Sequence, residues 1–227
     1  MKPGNIRPYR AVLFDFDDTL IDTREALTRV SEHWYATRPR ENRPPTEEEF
    51  IAGLQVTNSE QLSLRDFYVR MLEIWPGCFP SVEAALEAHS VAVPDCVSVD
   101  RGTEVMLRDL KVAGVPVGVV TNGPTEMQWA KVRNAGVADL VRAVVVSEEF
   151  GANKPDPAIF HHALSLIGAS PAETLFVGDN TVADIGGASG IGMRTAWMSH
   201  GRSWVIDSYS PDHVVDDVWD VRPLLGI

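Results

Sequence analysis

Four short apolar runs, at residues 11–14, 115–120, 143–146 and 174–177, each stop abruptly at polar or charged residues. Runs of this length with almost no polar interruption, separated by helical patterns, read as strands buried on both faces, as in parallel α/β sheets. A carboxylate beside a buried strand needs compensation by a metal ion, a lysine or a substrate. Open α/β sheets bind their ligands at the carboxyl ends of their strands. The expected fold class is therefore α/β, with a mostly parallel sheet, helices on both faces and polar chemistry gathered at one edge.

Each strand end has a functional and a plain structural reading. The first run ends in Asp15-Phe16-Asp17-Asp18-Thr19, a candidate catalytic Asp-x-Asp-x-Thr or a turn leading to a helix cap. The second ends in Thr121-Asn122-Gly123-Pro124, where a hydroxyl and unpaired N–H groups would cradle a phosphate, or where Thr121 or Asn122 simply caps the helix that follows. After the third, Lys154 precedes Pro155 and is held extended just ahead of a helix over Ile159–Ile167. Alone it would be a solvated surface lysine. The fourth run ends in Gly178-Asp179, with Asp184 five residues on, which is either a carboxylate pair or a Gly-Asp turn with a capping Asp. The structural reading suffices for any one end. It strains when asked to explain all four.

Taken together, Asp15–Thr19 (DFDDT), Val119–Gly123 (VVTNG), Lys154–Phe160 (KPDPAIF) and Val177–Ala188 (VGDNTVADIGGA) resemble the haloacid dehalogenase superfamily, in its order and at compatible spacing. The resemblance covers nearly the whole core, and Asp17 places it with the phosphatase branch. It implies a Rossmann-like three-layer core with an all-helical cap domain inserted after the first strand. The expected division is 1–20 and 97–227 for the core and 21–96 for the cap. Helical spacing within the insertion agrees: Leu27, Val30 and Trp34 recur on one face, Thr46–Glu49 reads as a capping box ahead of Phe50, Ile51 and Leu54, and Leu62–Trp75 and Val82–Ala88 are helical. Arg38–Pro45 reads as a loop. The helix of Asp100–Ala113 returns the chain to the core, and further strands are expected over Arg194–Trp197 and His213–Val215. Insertion topology leads to an expectation of cap opening and closing, with hinges near Leu20–Thr23 and Asp95–Asp100.

The chemistry that the resemblance implies is hydrolysis of a phosphate monoester through an aspartyl-phosphate. Asp15 is then the nucleophile and Asp17 the general acid that becomes general base. Thr121 and Lys154 hold the phosphoryl oxygens, helped by Asn122 and Gly123 through their backbone N–H groups. Mg2+ is bound by Asp15, the backbone carbonyl of Asp17, Asp179 and Asp184, the last either directly or through a water. Electrostatics supports a cation here, because two carboxylates at 4 Å repel by about 4 kcal/mol at an effective dielectric of 20. Oxygen donors with retained waters favour Mg2+ over softer metals.

Other chemistries of the same fold are distinguishable in part. A dehalogenase needs no acid for its halide leaving group and no Mg2+. A phosphonatase needs a cap lysine, and no lysine lies between Lys2 and Lys111. A sugar-phosphate mutase shares all four motifs and differs in how water is excluded, and a binding module would not need every catalytic position. Composition sets the remaining bounds. A chain of 227 residues, 44% hydrophobic and 23% charged, suits one soluble core with a small insertion. Met1–Arg10 lacks an apolar leader run, no segment is long enough to span a membrane, and Cys78 and Cys96 form no metal or redox motif, so a cytoplasmic protein is expected. A net charge of -12 argues against nucleic acid and anionic membranes as partners and leaves a small phosphorylated metabolite, captured locally. Oligomeric state leaves no signature. Arg24, Arg29, Arg38, Arg40, Arg43, Arg65 and Arg70 with His33, Trp34, Tyr35 and Trp75 are the cap residues from which leaving-group contacts would come, although Trp34 and Trp75 read mainly as core. His161 and His162 read as surface.

Overall fold

The computed structural model describes residues 9–37, 46, 48–53 and 62–227, apart from the side chains of residues 33 and 37. The loop expected over 38–45, with its three arginines, and Leu54 of the helical stripe lie outside the described residues. The chain divides into two compact units, Met1–Ile21 with Val99–Ile227, and Asp22–Ser98.

The larger unit is a six-stranded sheet built from β1 (Ala11–Phe14), β2 (Val117–Thr121), β3 (Ala143–Val146), β4 (Thr174–Gly178), β5 (Arg194–Met198) and β6 (His213–Val215). Its order is β3-β2-β1-β4-β5-β6, and every pairing is parallel. This is the doubly wound order of Rossmann-like folds, in which the direction of winding reverses beside β1 and opens a crevice at the carboxyl ends. Phe14 registers with Val119 on one side and Val177 on the other. The residues that follow, Asp15, Thr121 and Asp179, therefore emerge at the same edge.

Packing explains the uninterrupted apolar strands. All four residues of β1 are buried. Leu13, Val120, Val145 and Phe176 pack against Ile159, Phe160, Leu164 and Ile167 of the helix Pro157–Ile167. Asp156 caps that helix by accepting from the Ala158 N–H, and Pro157 stands in its first turn. Gly118 in β2 leaves room for this contact, because a Cβ there would sit 2.7 Å from Leu13 Cδ2 and 3.1 Å from Ile167 Cγ2 and would make them shift. The helix Arg101–Val112, capped by Asp100, buries Met106, Leu107 and Leu110 and packs on β2 and on the 3-10 segment Val218–Leu225.

The elements of the smaller unit are all helical, with no strand among its described residues. It contains α1 (Thr23–Thr37), a helical stretch over 48–53, α2 (Leu64–Ile74), α3 (Val82–Ala92) and a 3-10 turn at Val93–Asp95. Ser63 and Ser81 cap α2 and α3 by accepting from the N–H groups of Asp66 and Ala84. Trp34 and Tyr68 meet Phe79 edge to face, and Tyr68 Oη lies 2.8 Å from His89 Nδ1, which satisfies both buried polar groups. Trp34 is a core residue and Trp75 is half-buried. Among the described residues no helix is long and apolar enough to cross a membrane.

Candidate active site

The site grows from the end of β1. Asp15 continues the strand pairing, its N–H donating to the Val177 carbonyl at 2.8 Å, and its carboxylate is buried. The chain then turns sharply. The carbonyl of Phe16 accepts from Leu20 and Ile21, Asp18 takes a positive φ of 55°, and Asp17 bridges to Ile21. Two residues on from a buried strand, Asp17 is thus held at the edge of the crevice rather than in a helix.

Lys154 is buried, not solvated. Its Nζ lies 2.5 Å from Asp15 Oδ1 and 2.7 Å from Asp184 Oδ1, and it donates to the Val120 carbonyl at 2.8 Å. Its backbone is fixed by Asn122, whose side chain donates to the Lys154 carbonyl at 3.0 Å and accepts from the Lys154 N–H at 2.9 Å. Burial alone would lower the pKa of Lys154, but the carboxylates of Asp15 and Asp184 more than offset it and hold the ammonium above the usual lysine range.

Asp184 is wholly buried and reaches the site through a π-helical turn, Thr181–Gly186. Asn180, not an aspartate, caps that turn, accepting from the Val182 and Ala183 N–H groups at 3.0 and 2.9 Å. The Asn180 N–H in turn donates to Asp184 Oδ2 at 2.9 Å. Gly178 makes room, because a Cβ there would lie 2.5 Å from Asp184 Oδ2 and 2.6 Å from its Cβ and Cγ. Asp179 is faced by Arg202, which donates to its Oδ2 at 3.1 Å and to its carbonyl at 3.0 Å, and Trp197 Nε1 donates to the same carbonyl at 2.8 Å.

Asp15, Asp179 and Asp184 each present an oxygen within 4.8 Å of the other two. Burial, then the neighbouring carboxylates, push Asp179 up to about 8, against the pull of Arg202. Burial likewise pushes Asp15 up to about 7, with Lys154 pulling down and Asp184 pushing up. Buried hard oxygen donors that resist ionisation together form a set that a small divalent cation would complete.

The remaining expected residues fall at the same edge with different commitments. Thr121 is buried, and its hydroxyl accepts from the Gln128 side chain. Neither Thr121 nor Asn122 caps the following helix, Thr125–Asn134. Pro124 stands at its N-cap without a side-chain bond, and Glu148 accepts from the Thr125 N–H at 2.6 Å. Capping therefore does not explain Thr121 or Asn122. The Gly123 N–H, expected to face a phosphate, donates to Ser147 Oγ at 3.0 Å. His161 and His162 are exposed.

Three side chains at this edge escaped the sequence reading. Lys131 Nζ lies 2.6 and 2.8 Å from the two carboxylate oxygens of Asp17, and Gln128 Nε2 donates to Asp17 Oδ2 at 2.8 Å. The third is Arg202. The signal for the first two is that residues 128 and 131 lie one helical turn apart, on the same face as the buried Ala135.

The chain is similar to known proteins over most of its length. The family model "haloacid dehalogenase-like hydrolase" matches residues 9–192. The glyceraldehyde 3-phosphate phosphatase of Methanopyrus kandleri is 31% identical over 96% of this chain and 96% of its own length. Among solved structures, the magnesium-bound HAD-hydrolase YfnB of Bacillus subtilis superposes with a TM-score of 0.78 over 97% of this chain and 100% of its own, at 21% identity. The 2-haloacid dehalogenase of Pseudomonas syringae pv. Tomato DC3000 is 27% identical, with a TM-score of 0.62 over 96% of this chain and 98% of its own. With the family match extending from before β1 to beyond Asp184, and with the strand-end carboxylates and lysine assembled at one edge, the chain belongs to the haloacid dehalogenase-like hydrolases.

Proposed function

We propose that the chain is a Mg2+-dependent phosphatase that hydrolyses a small-molecule phosphate monoester through an aspartyl-phosphate on Asp15. The observation that carries this reading is the pairing of two differently placed carboxylates. Asp15 lies buried against Lys154 beside Asp179 and Asp184, and Asp17, two residues on, is held by a second lysine.

In the proposed first step, one carboxylate oxygen of Asp15 attacks phosphorus, the bond to the ester oxygen breaks, and the leaving oxygen takes a proton from Asp17. In the second, Asp17 as carboxylate removes a proton from water, whose oxygen attacks the same phosphorus. Asp15 is released as carboxylate, and Asp17 regains its proton. Thr121 and Lys154 hold the phosphoryl oxygens through both steps. Mg2+ would be held by Asp15, Asp179, Asp184 and the Asp17 carbonyl, and when bound would neutralise charge on the carboxylates and the phosphoryl group. Asn122 serves this arrangement through its bonds to the Lys154 backbone.

The phosphatase relative of M. kandleri favours a small sugar phosphate as substrate class. Likeness to a 2-haloacid dehalogenase is the observation on the other side. A halide departs without a proton and without a metal, so it leaves the Asp17–Lys131 pair and the carboxylate cluster without a task. We read the helical insertion Asp22–Ser98 as the cap of the family fold.

The test is phosphate release from a panel of phosphate monoesters with and without Mg2+, alongside Asp15→Asn. Mg2+-dependent release that disappears in the variant is the expected result. Release that survives Asp15→Asn refutes the nucleophile, and chloride release from 2-chloropropionate with no phosphate release from any ester refutes the reaction class.

A further inference from the structure

The phosphatase reading assigns Asp17 two proton transfers but leaves open what aims its side chain, which follows a sharp turn and is partly exposed. Two residues of the helix Thr125–Asn134 meet it. Lys131 Nζ spans both carboxylate oxygens, at 2.6 and 2.8 Å, and Gln128 Nε2 donates to Oδ2 at 2.8 Å. The same Gln128 nitrogen donates to the Thr121 hydroxyl. One amide thus ties the acid/base carboxylate to the proposed phosphoryl-binding hydroxyl.

Neither contact has the character of an incidental surface pair. Lys131 is 4% exposed and Gln128 is fully buried. Lys131 Nζ bonds to Asp17 alone among the described residues. Exposed ion pairs contribute little because solvent screens them and both side chains lose freedom. A lysine already buried to its ammonium, with both carboxylate oxygens in reach, is ordered by the packing around it instead. Gln128 Oε1 is buried without a hydrogen-bond partner. An orphaned acceptor of this kind costs about 1–3 kcal/mol. Turning the amide over would face that oxygen to the Asp17 carboxylate, trading an unmet acceptor for repulsion between two acceptors, whereas the Thr121 hydroxyl could accept or donate in either orientation. The amide orientation is therefore dictated by Asp17, at the expense of stability.

We propose that Lys131 and Gln128 are the positioning residues of Asp17: together they hold its carboxylate in one orientation and couple it to Thr121. The proposal rests on the phosphatase reading. Its signature is leaving-group dependence. The kcat/KM of a covalent mechanism reports steps up to departure of the leaving group, where Asp17 acts only as acid. An alkoxide needs that proton and a nitrophenolate does not. Misplacement of a catalytic group by about 1 Å can cost about 100-fold.

The experiment measures kcat/KM for glycerol 3-phosphate, or the best alkyl ester of the panel, and for 4-nitrophenyl phosphate. It compares the wild type, Lys131→Met, Gln128→Met and Asp17→Asn, alone and combined. The expected loss for Lys131→Met is about 30- to 100-fold with the alkyl ester and under about threefold with the nitrophenyl ester. Gln128→Met, which also removes the orphaned oxygen and so keeps a folded test, should lose about 5- to 20-fold with the same selectivity. In the Asp17→Asn background neither substitution should matter further. Equal losses on both esters, or full additivity with Asp17→Asn, overturn the positioning role while leaving the phosphatase reading intact. Absence of turnover by the wild type on both esters overturns the two together.

Discussion

Lys154→Met isolates the charge balance of the site, because Met matches the length of Lys and removes only the ammonium and its bonds. In the folded protein that ammonium lies 2.5 Å from Asp15 Oδ1 and 2.7 Å from Asp184 Oδ1, with 3% of the side chain exposed. Without it, two buried carboxylates face each other, and oxygens no more than 4.8 Å apart would repel by at least about 3 kcal/mol at an effective dielectric of 20. The site can escape by taking up a proton, at about 1.4 kcal/mol for each pH unit above the unfolded value of 3.8. Asp15 already stands at about 7 in the wild type, so at pH 5.5 it carries a proton and the ammonium has less to neutralise. The sign follows from linkage. Where the folded state binds more protons than the unfolded chain, stability falls as pH rises, and the variant, with its carboxylates raised further, must fall more steeply. The expected destabilisation is about 1–2 kcal/mol at pH 5.5 and about 3–5 kcal/mol at pH 8, the upper range being that of a broken buried ion pair. Urea unfolding in EDTA, followed by fluorescence and circular dichroism, measures it. Repeating the pH 8 series in millimolar Mg2+ should shrink the difference, since the cation restores the missing positive charge. A destabilisation that is independent of pH, or a variant as stable as the wild type at pH 8, would refute the assignment of Lys154 as the neutralising group.

Two further outcomes follow from the same geometry. Gly178→Ala should weaken Mg2+ binding at least tenfold by isothermal titration and destabilise the protein by about 1–3 kcal/mol, because the new Cβ would lie 2.5 Å from Asp184 Oδ2 and must displace it. Arg202→Met removes the cation that lowers Asp179, which burial and its neighbours hold at about 8. The pH midpoint for Mg2+ binding should therefore move upward in a titration from pH 6 to 9, and an unchanged midpoint would exclude Asp179 as a coupled ligand.

The strands formed close to where the apolar runs lie in the chain. Runs at 11–14, 143–146 and 174–177 became β1, β3 and β4, and the second run, expected from residue 115, paired only from Val117. The helix expected at Asp100–Ala113 runs from Arg101 to Val112, and α3 extends to Ala92, four residues beyond the expected Ala88. Boundaries drift in this way because the last turn of a helix is decided by what covers it. Thr121 and Asn122 looked like caps because a polar residue ahead of a helical pattern ordinarily is one. Packing spent them otherwise, Thr121 on Gln128 and Asn122 on the backbone of Lys154.

Sequence alone determined the local units of this protein: four apolar strands, the helices between them, a helical insertion after the first strand, and carboxylates and a lysine at strand ends. Those are properties of periodicity and of residue type, which act over a few neighbours and are written directly in the chain. The tertiary structure alone decided which charges meet. Lys154 reaches Asp15 across 139 residues, because sheet order sets β1 between β2 and β4 and aligns their ends. Lys131 reaches Asp17 across 114 residues, although a lysine in a helix reads as solvated face. Its long apolar stem fits a buried and an exposed setting equally well. Only the packed neighbours, by withholding water and offering Asp17, determine which of the two it takes.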